Sequence, residues 1–169
     1  MKSDWKLKIF PVAGDLTLRG LGLSPESRQT LIEEVQIMIN CAASVNFDDP
    51  LLEALSINYF GTLRMLDLAH SAKNIEVFTH VSTAYVNSNR VGSIEERVYD
   101  LEGGKDSEEL VAEILKLNPQ QVSEKEKEII GKYPNTYTFS KSLAERTLRK
   151  RIGNIKVAIV RPSIVISAY

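Results

Sequence analysis

The chain has one cysteine, Cys41, in 169 residues, so no internal disulfide can form. Its two histidines, His70 and His80, are too far apart in sequence to suggest a metal-ligand cluster. No apolar run approaches the roughly 18 to 20 residues that cross a bilayer, and Met1 to Trp5 does not read as the opening of a signal peptide. There is no excess of one charge: 21 basic residues face 22 acidic ones, a net charge of −1, so no global field favours nucleic acid or an anionic membrane as partner. A glycine-rich turn between strand and helix is also missing. The nearest candidate, Gly20-Leu21-Gly22-Leu23-Ser24-Pro25, has proline where a third glycine belongs and does not directly follow a strand. What remains is ordinary globular composition, 43% hydrophobic and 25% charged, over one domain's length. A soluble domain in a reducing compartment is expected.

Strand-like and helix-like segments alternate. Leu7 to Val12 is a short apolar run closed by Gly14-Asp15 and reads as a strand. Ser24-Pro25 opens a helix, with a capping side chain before a proline at the first helical position. Ile37 to Ala43 has the pattern of a strand buried on both faces. Asp49-Pro50 opens a long helix whose apolar stripe runs from Leu51 to about Lys73. Glu76 to Val81 and Lys156 to Val160 read as further strands, and Pro134 to Arg151 as a helix. Between about Ser88 and Gly131 the sequence turns charged, with helical spacing in two places. Its apolar residues are too few for a core of its own, so a helical surface insertion is expected rather than a second domain. The whole predicts an α/β fold with a parallel sheet covered on both sides. In such sheets the chemistry collects at the carboxyl ends of the strands. Here those ends are Asp15, Asn40 to Ser44, Ser82 to Tyr85 and Arg161 to Ser163.

Tyr137 and Lys141 lie four apart on the last predicted helix and so project from one face. A phenol titrates near 10, and a neighbouring ammonium lowers that value, which would make tyrosine a usable proton donor. A hydroxyl from Ser82 or Thr83 could hold a reacting carbonyl oxygen while the tyrosine protonates it, as hydride transfer to a carbonyl requires. With six tyrosines in the chain, Tyr-x-x-x-Lys alone could be a surface pair. Its context is more specific, because the helix leads into the last parallel strand and a Ser/Thr pair ends the strand before it. His80 reads as a core or edge histidine and Cys41 as a small buried apolar residue. Arg146, Arg149, Lys150 and Arg151 complement a helix C-terminus, with coenzyme A phosphates as the alternative ligand.

The chain resembles the fatty acyl-CoA reductases, the male-sterility-related branch of the extended short-chain dehydrogenase/reductases. The matching stretches are Gly14-Asp15-Leu16, Asn40 to Asp48, Asn58 to Thr62, Val81 to Asn87, Tyr133 to Lys141 and Arg161 to Val165, in order over nearly the whole chain. The resemblance implies that Tyr137 is the proton donor. It makes Lys141 the partner that lowers the tyrosine's pKa and binds the nicotinamide ribose, and Asn58 the residue completing a proton relay. The hydroxyl role falls to Thr83, with Ser82 adjacent. Asp15 resembles the residue contacting the adenine, Ala42 and Ala43 the small residues that let the cofactor lie against a strand end, and Pro162 and Ser163 the segment beside the nicotinamide carboxamide.

The fold implied is a Rossmann-like parallel sheet with helices on both faces. It is incomplete, because the first two strands and the glycine-rich loop have no counterpart in 1–169. Leu7 to Val12 would then lack a neighbour, and the chain by itself is expected to bind cofactor weakly. The function implied is NADPH-dependent reduction of long-chain fatty acyl-CoA to aldehyde or alcohol. Alternatives are another extended reductase, such as a carboxylic-acid reductase domain or a sugar-nucleotide epimerase, or a non-catalytic binding scaffold. The family also implies a cytosol-facing protein at endoplasmic reticulum or peroxisomal membranes, attached through regions other than these residues.

Overall fold

The computed structural model describes residues 5–165. Three short strands, β1 (Ile37–Asn40), β2 (Val77–Val81) and β3 (Val157–Val160), form a parallel sheet in the order β1-β2-β3. Ile37 pairs with Val77 and Phe78 with Val157, which brings all three carboxyl ends to one edge. Helix α1 (Pro25–Glu34) starts as expected, with the Ser24 hydroxyl accepting from Ser27 N and Pro25 at the first helical position. The long helix beginning after Pro50 forms in three continuous pieces: α2 (Leu51–Ala54), a π-helical stretch Leu55–Phe60, and α3 (Gly61–Ser71). In the π stretch Gly61 N donates to Ser56 O, five residues back, so one extra residue is accommodated.

Helices α4 (Ser107–Ile114) and α5 (Pro119–Ile130) fall within the expected insertion. They bury Val111, Ile114 and Val122 in the same cluster as Leu51, Leu55, Tyr59, Phe139 and Leu143, so they share the domain's core. The basic residues near the C-terminus of α6 (Thr136–Arg151) tie this insertion down. Arg149 binds Asp100, Lys150 binds Asp106 and Glu108, and Arg151 binds Glu108. Those partners account for the basic cluster structurally. Helix α6 itself lies at the centre of the helical layer, against α2, α3, α4 and the π stretch. Most of it is buried although it is rich in polar residues. Its hydroxyls are satisfied locally or across helices: Ser140 and Ser142 bond carbonyls three residues back, and Thr147 bonds Tyr59 and Ser107.

Three expectations are corrected. Leu7 to Val12 is not a strand: Trp5–Lys8 is a 3₁₀ turn and the chain then runs as an exposed coil, with Phe10 82% exposed. A lone strand leaves its backbone groups without partners, and no described strand lies beside this segment. The apolar run from Ile37 is a strand only as far as Asn40 and alternates in burial. Met38 and Asn40 face the helices, whereas Ile37 and Ile39 are 59% and 62% exposed. Helices therefore cover one face of the sheet among the described residues. The other face presents Ile37, Ile39, Ala158 and Val160.

Candidate active site

The parallel register aligns the strand ends, and backbone bonds continue that pairing into the loops. Ser82 N donates to Val160 O at 2.7 Å and Ala84 N to Pro162 O at 2.9 Å, so Thr83 hangs between two anchors on the segment following β3. Thr83 then caps the turn Ala84–Asn87, its hydroxyl accepting from Tyr85 N at 3.2 Å. Asn135 caps α6 by accepting from Thr138 N, which fixes the first turn of the helix that carries Tyr137. The Tyr137 phenol lies beside the Thr83 hydroxyl, which opposes the upward shift that burial imposes on it. One turn on, Lys141 donates from Nζ to Val81 O at 2.9 Å. Tyr137, Thr83 and Lys141 thus converge on the carboxyl end of β2. The adjacent Ser82 hydroxyl is buried and has no partner within the described protein.

Electrostatics at this site depart from expectation in one respect. Burial pushes the Tyr137 phenol above its usual value, and the Thr83 hydroxyl only partly opposes that, so the expected lowering by Lys141 is not realised in this arrangement. The lysine itself is pushed down to about 8 by burial, opposed by Cys41 and Glu145. At neutral pH the site holds a protonated phenol beside a protonated amine. That pairing suits donation of a proton, not its abstraction.

Asn58 sits in the π stretch and is fully buried. Its Oδ1 accepts from Ser44 N at 2.9 Å, and its Nδ2 donates to Ser44 O and Ser140 Oγ, both at 3.1 Å. The side chain thereby holds the loop after β1 against α6. Ser44 and Asn46 in turn bind the Asp49 carboxylate, and this loop carries Phe47, whose ring packs 5.5 Å from that of Tyr137. Phe47 and Ser140 were not singled out by sequence; the loop's position after a strand end pointed to Phe47, and the helix carrying Tyr137 and Lys141 to Ser140. A second buried chain runs from His80 through Asn40 and Thr62 to the Asn58 carbonyl. His80 is held neutral, down to about 3, by burial and by Lys141.

The remaining predicted site residues lie around this centre. Ala42 is exposed and Ala43 half-buried just beyond β1, while Pro162 and Ser163 follow β3. Asp15 lies apart, along β1's outer edge beside a cavity of about 310 Å³ that Ile37 and Ile39 help to line. Its Oδ1 accepts from Thr17 N and Oγ1, both at 2.7 Å, which holds the carboxyl below its ordinary range. A cleft of about 700 Å³ opens beyond Phe47, lined also by Glu126, Lys127, Tyr133 and Thr136.

The family model described as Male sterility protein, an NAD-binding domain, matches residues 1–168. The chain belongs to this family. Fatty acyl-CoA reductase 1 of Xenopus laevis is 39% identical over 162 residues, 96% of this chain and 31% of that protein. The human protein of the same name is 38% identical over the same shares. Fatty acyl-CoA reductase wat of Drosophila melanogaster is 38% identical over 165 residues, 98% of this chain and 31% of that protein. The chain thus spans about a third of the length of these curated relatives. Among solved structures it is similar to the terminal R domain from the myxalamid PKS-NRPS biosynthetic pathway, with a TM-score of 0.65 and 26% identity over 96% of this chain and 35% of that one. RMD from Pseudomonas aeruginosa, solved with NADPH, shares the fold at a TM-score of 0.50 and 22% identity over 91% of this chain and 43% of that one.

Proposed function

We propose that the protein carrying this chain reduces a long-chain fatty acyl-CoA, using NADPH, to the aldehyde or the primary alcohol. The observation that carries the reading is the convergence of Tyr137, Thr83 and Lys141 on the end of β2. Relatives named fatty acyl-CoA reductases support the substrate class. The donor set fits the nicotinamide half of a dinucleotide. Lys141 spends one of its three protons on Val81 O, leaving two for ribose hydroxyls, and Ala42, Ser163 and the flank of Pro162 are open to a planar group. Asp15 would serve the adenine end. A glycine-rich pyrophosphate turn is not among the described residues.

The dinucleotide, when bound, supplies the hydride. As negative charge develops on the thioester oxygen, the Thr83 hydroxyl donates a hydrogen bond to it and Tyr137, neutral at physiological pH, passes it a proton. Lys141, anchored on Val81 O, would hold the ribose beside the phenol. The resulting hemithioacetal expels coenzyme A to give the aldehyde. Asn58 holds the loop that places Phe47 over Tyr137, which keeps water from one side of the phenol. Location at a cytosol-facing membrane surface belongs to the same proposal, resting on the family alone. No helix among the described residues is long and apolar enough to cross a membrane.

The test is NADPH oxidation with palmitoyl-CoA by the full-length protein and its Tyr137→Phe variant. Removing the proton donor is expected to lower kcat by about 100-fold or more. Turnover that survives the substitution intact overturns the assignment.

A further inference from the structure

Glu145 is 2% exposed, one helical turn beyond Lys141 and two beyond Tyr137, so the three share one stripe of α6. A carboxylate so buried is costly unless it is paired. Its partner is Arg161, which follows β3 and donates from Nε to Oε1 at 3.0 Å and from Nη2 to Oε2 at 2.6 Å, a two-pronged contact. Nη2 also donates to Arg97 O at 3.0 Å, which ties in the segment before α4. Arg161 stands between Val160 and Pro162, the two residues whose carbonyls hold Ser82 N and Ala84 N. The ion pair therefore joins the helix bearing Tyr137 and Lys141 to the strand end that suspends Thr83. Among the described residues no other side-chain hydrogen bond joins α6 to the end of β3. Lys141 is faced by His80 from β2, by Cys41 from beyond β1 and by Glu145 from its own helix; Cys41 and Glu145 favour the charged amine, and His80, itself held neutral, adds no charge against it.

We propose that Glu145 and Arg161 act as a positioning pair for the candidate centre: the guanidinium sets the distance between Thr83 and Tyr137, and the carboxylate keeps Lys141 charged. The proposal rests on the site assignment above but separates from it experimentally. In the full-length protein with lysine labelled at Cε, the Lys141 resonance, identified by its loss in Lys141→Arg, is titrated by NMR without substrate. In Glu145→Gln, which keeps the side chain's size, the Lys141 midpoint moves down by about one unit because an opposing charge has gone. The alkaline limb of kcat moves with it, and kcat at neutral pH drops roughly tenfold with KM little changed. In Arg161→Lys the buried carboxylate keeps a cation but loses the fork. There the Lys141 midpoint stays in place while kcat falls by a similar factor.

An unchanged Lys141 midpoint in Glu145→Gln overturns the proposal, as does wild-type kcat in Arg161→Lys. If Glu145→Gln shifts the midpoint yet Tyr137→Phe retains turnover, the reaction is misassigned and the action of Glu145 on Lys141 stands. If Tyr137→Phe abolishes turnover while both pair variants behave as wild type, the pair alone is refuted.

Discussion

Two adjacent hydroxyls end β2, and sequence could not choose between them because either register puts an alcohol near Tyr137. The structure separates them by surroundings: Thr83 caps a turn and lies beside the phenol, whereas the Ser82 Oγ is buried and unpartnered. Thr83→Ala is accordingly expected to cut kcat by about two orders of magnitude, the usual cost of one oxyanion donor, while Ser82→Ala changes it little and leaves stability the same or higher, since an unpaired buried hydroxyl is lost. Steady-state kinetics with thermal melts on the two variants decide this, and equal losses in both would remove Thr83's special role. The lysine offers a second prediction. Its folded pKa, about 8, lies below the ordinary lysine value of 10.5. Between those limits the unfolded chain binds more protons, so the contribution of Lys141 to stability rises with pH from about 8 to 10.5 and is lost as pH falls through 8. Urea unfolding should show wild type gaining on Lys141→Met by on the order of 3 kcal/mol across that window. Parallel curves would mean that the amine is not buried as described.

At the scale of elements, the helix starts at Ser24-Pro25 and after Pro50, the capped helix behind Asn135 and the strand Glu76 to Val81 were legible because capping residues and apolar spacing are local signals. The π stretch was not, since Leu55 to Phe60 has the composition of an unbroken helix and its extra residue shows only in the backbone. Nor was the Glu145–Arg161 pair, because i to i+4 spacing placed Glu145 on the right stripe but said nothing of which strand end faced it. His80 illustrates what such cross-element bonds do. Its ring bridges to Asn40 and through Thr62 to the π stretch, uniting β2, β1 and the long helix in one buried polar chain. Burial and Lys141 hold the imidazole down to about 3, against an ordinary 6.5. The stability it contributes is therefore complete above pH 6.5 and drains away as pH falls towards 3. His80→Gln, which keeps an acceptor for Asn40 and cannot be charged, should lose less stability than wild type between pH 7 and pH 4 in chemical denaturation. A loss as steep as that of wild type would show that other groups drive acid unfolding.

For the molecule as a whole, parallel sheets are ordinarily covered on both faces, and the apolar runs at β1 and β3 were read on that basis. On the helical side Met38, Phe78, Val157 and Ile159 supply the apolar contacts, beside the buried Asn40 and His80. Ile37, Ile39 and Val160 stand 59%, 62% and 47% exposed on the other side. Neighbouring residues of one strand thus sit in opposite environments, which yields a sharp contrast. In the 169-residue chain, Ile39→Thr keeps the β-branched shape and removes little buried surface, so its cost in urea unfolding should stay within about 1 kcal/mol. Phe78→Ala, on the covered face and 0% exposed, should cost about 3 to 5 kcal/mol. The exposed apolar face also favours association between copies, so light scattering at equal concentration should fall in the Ile39→Thr chain. If Ile39→Thr instead destabilises as much as Phe78→Ala, both faces of the sheet are packed and the one-sided architecture is wrong.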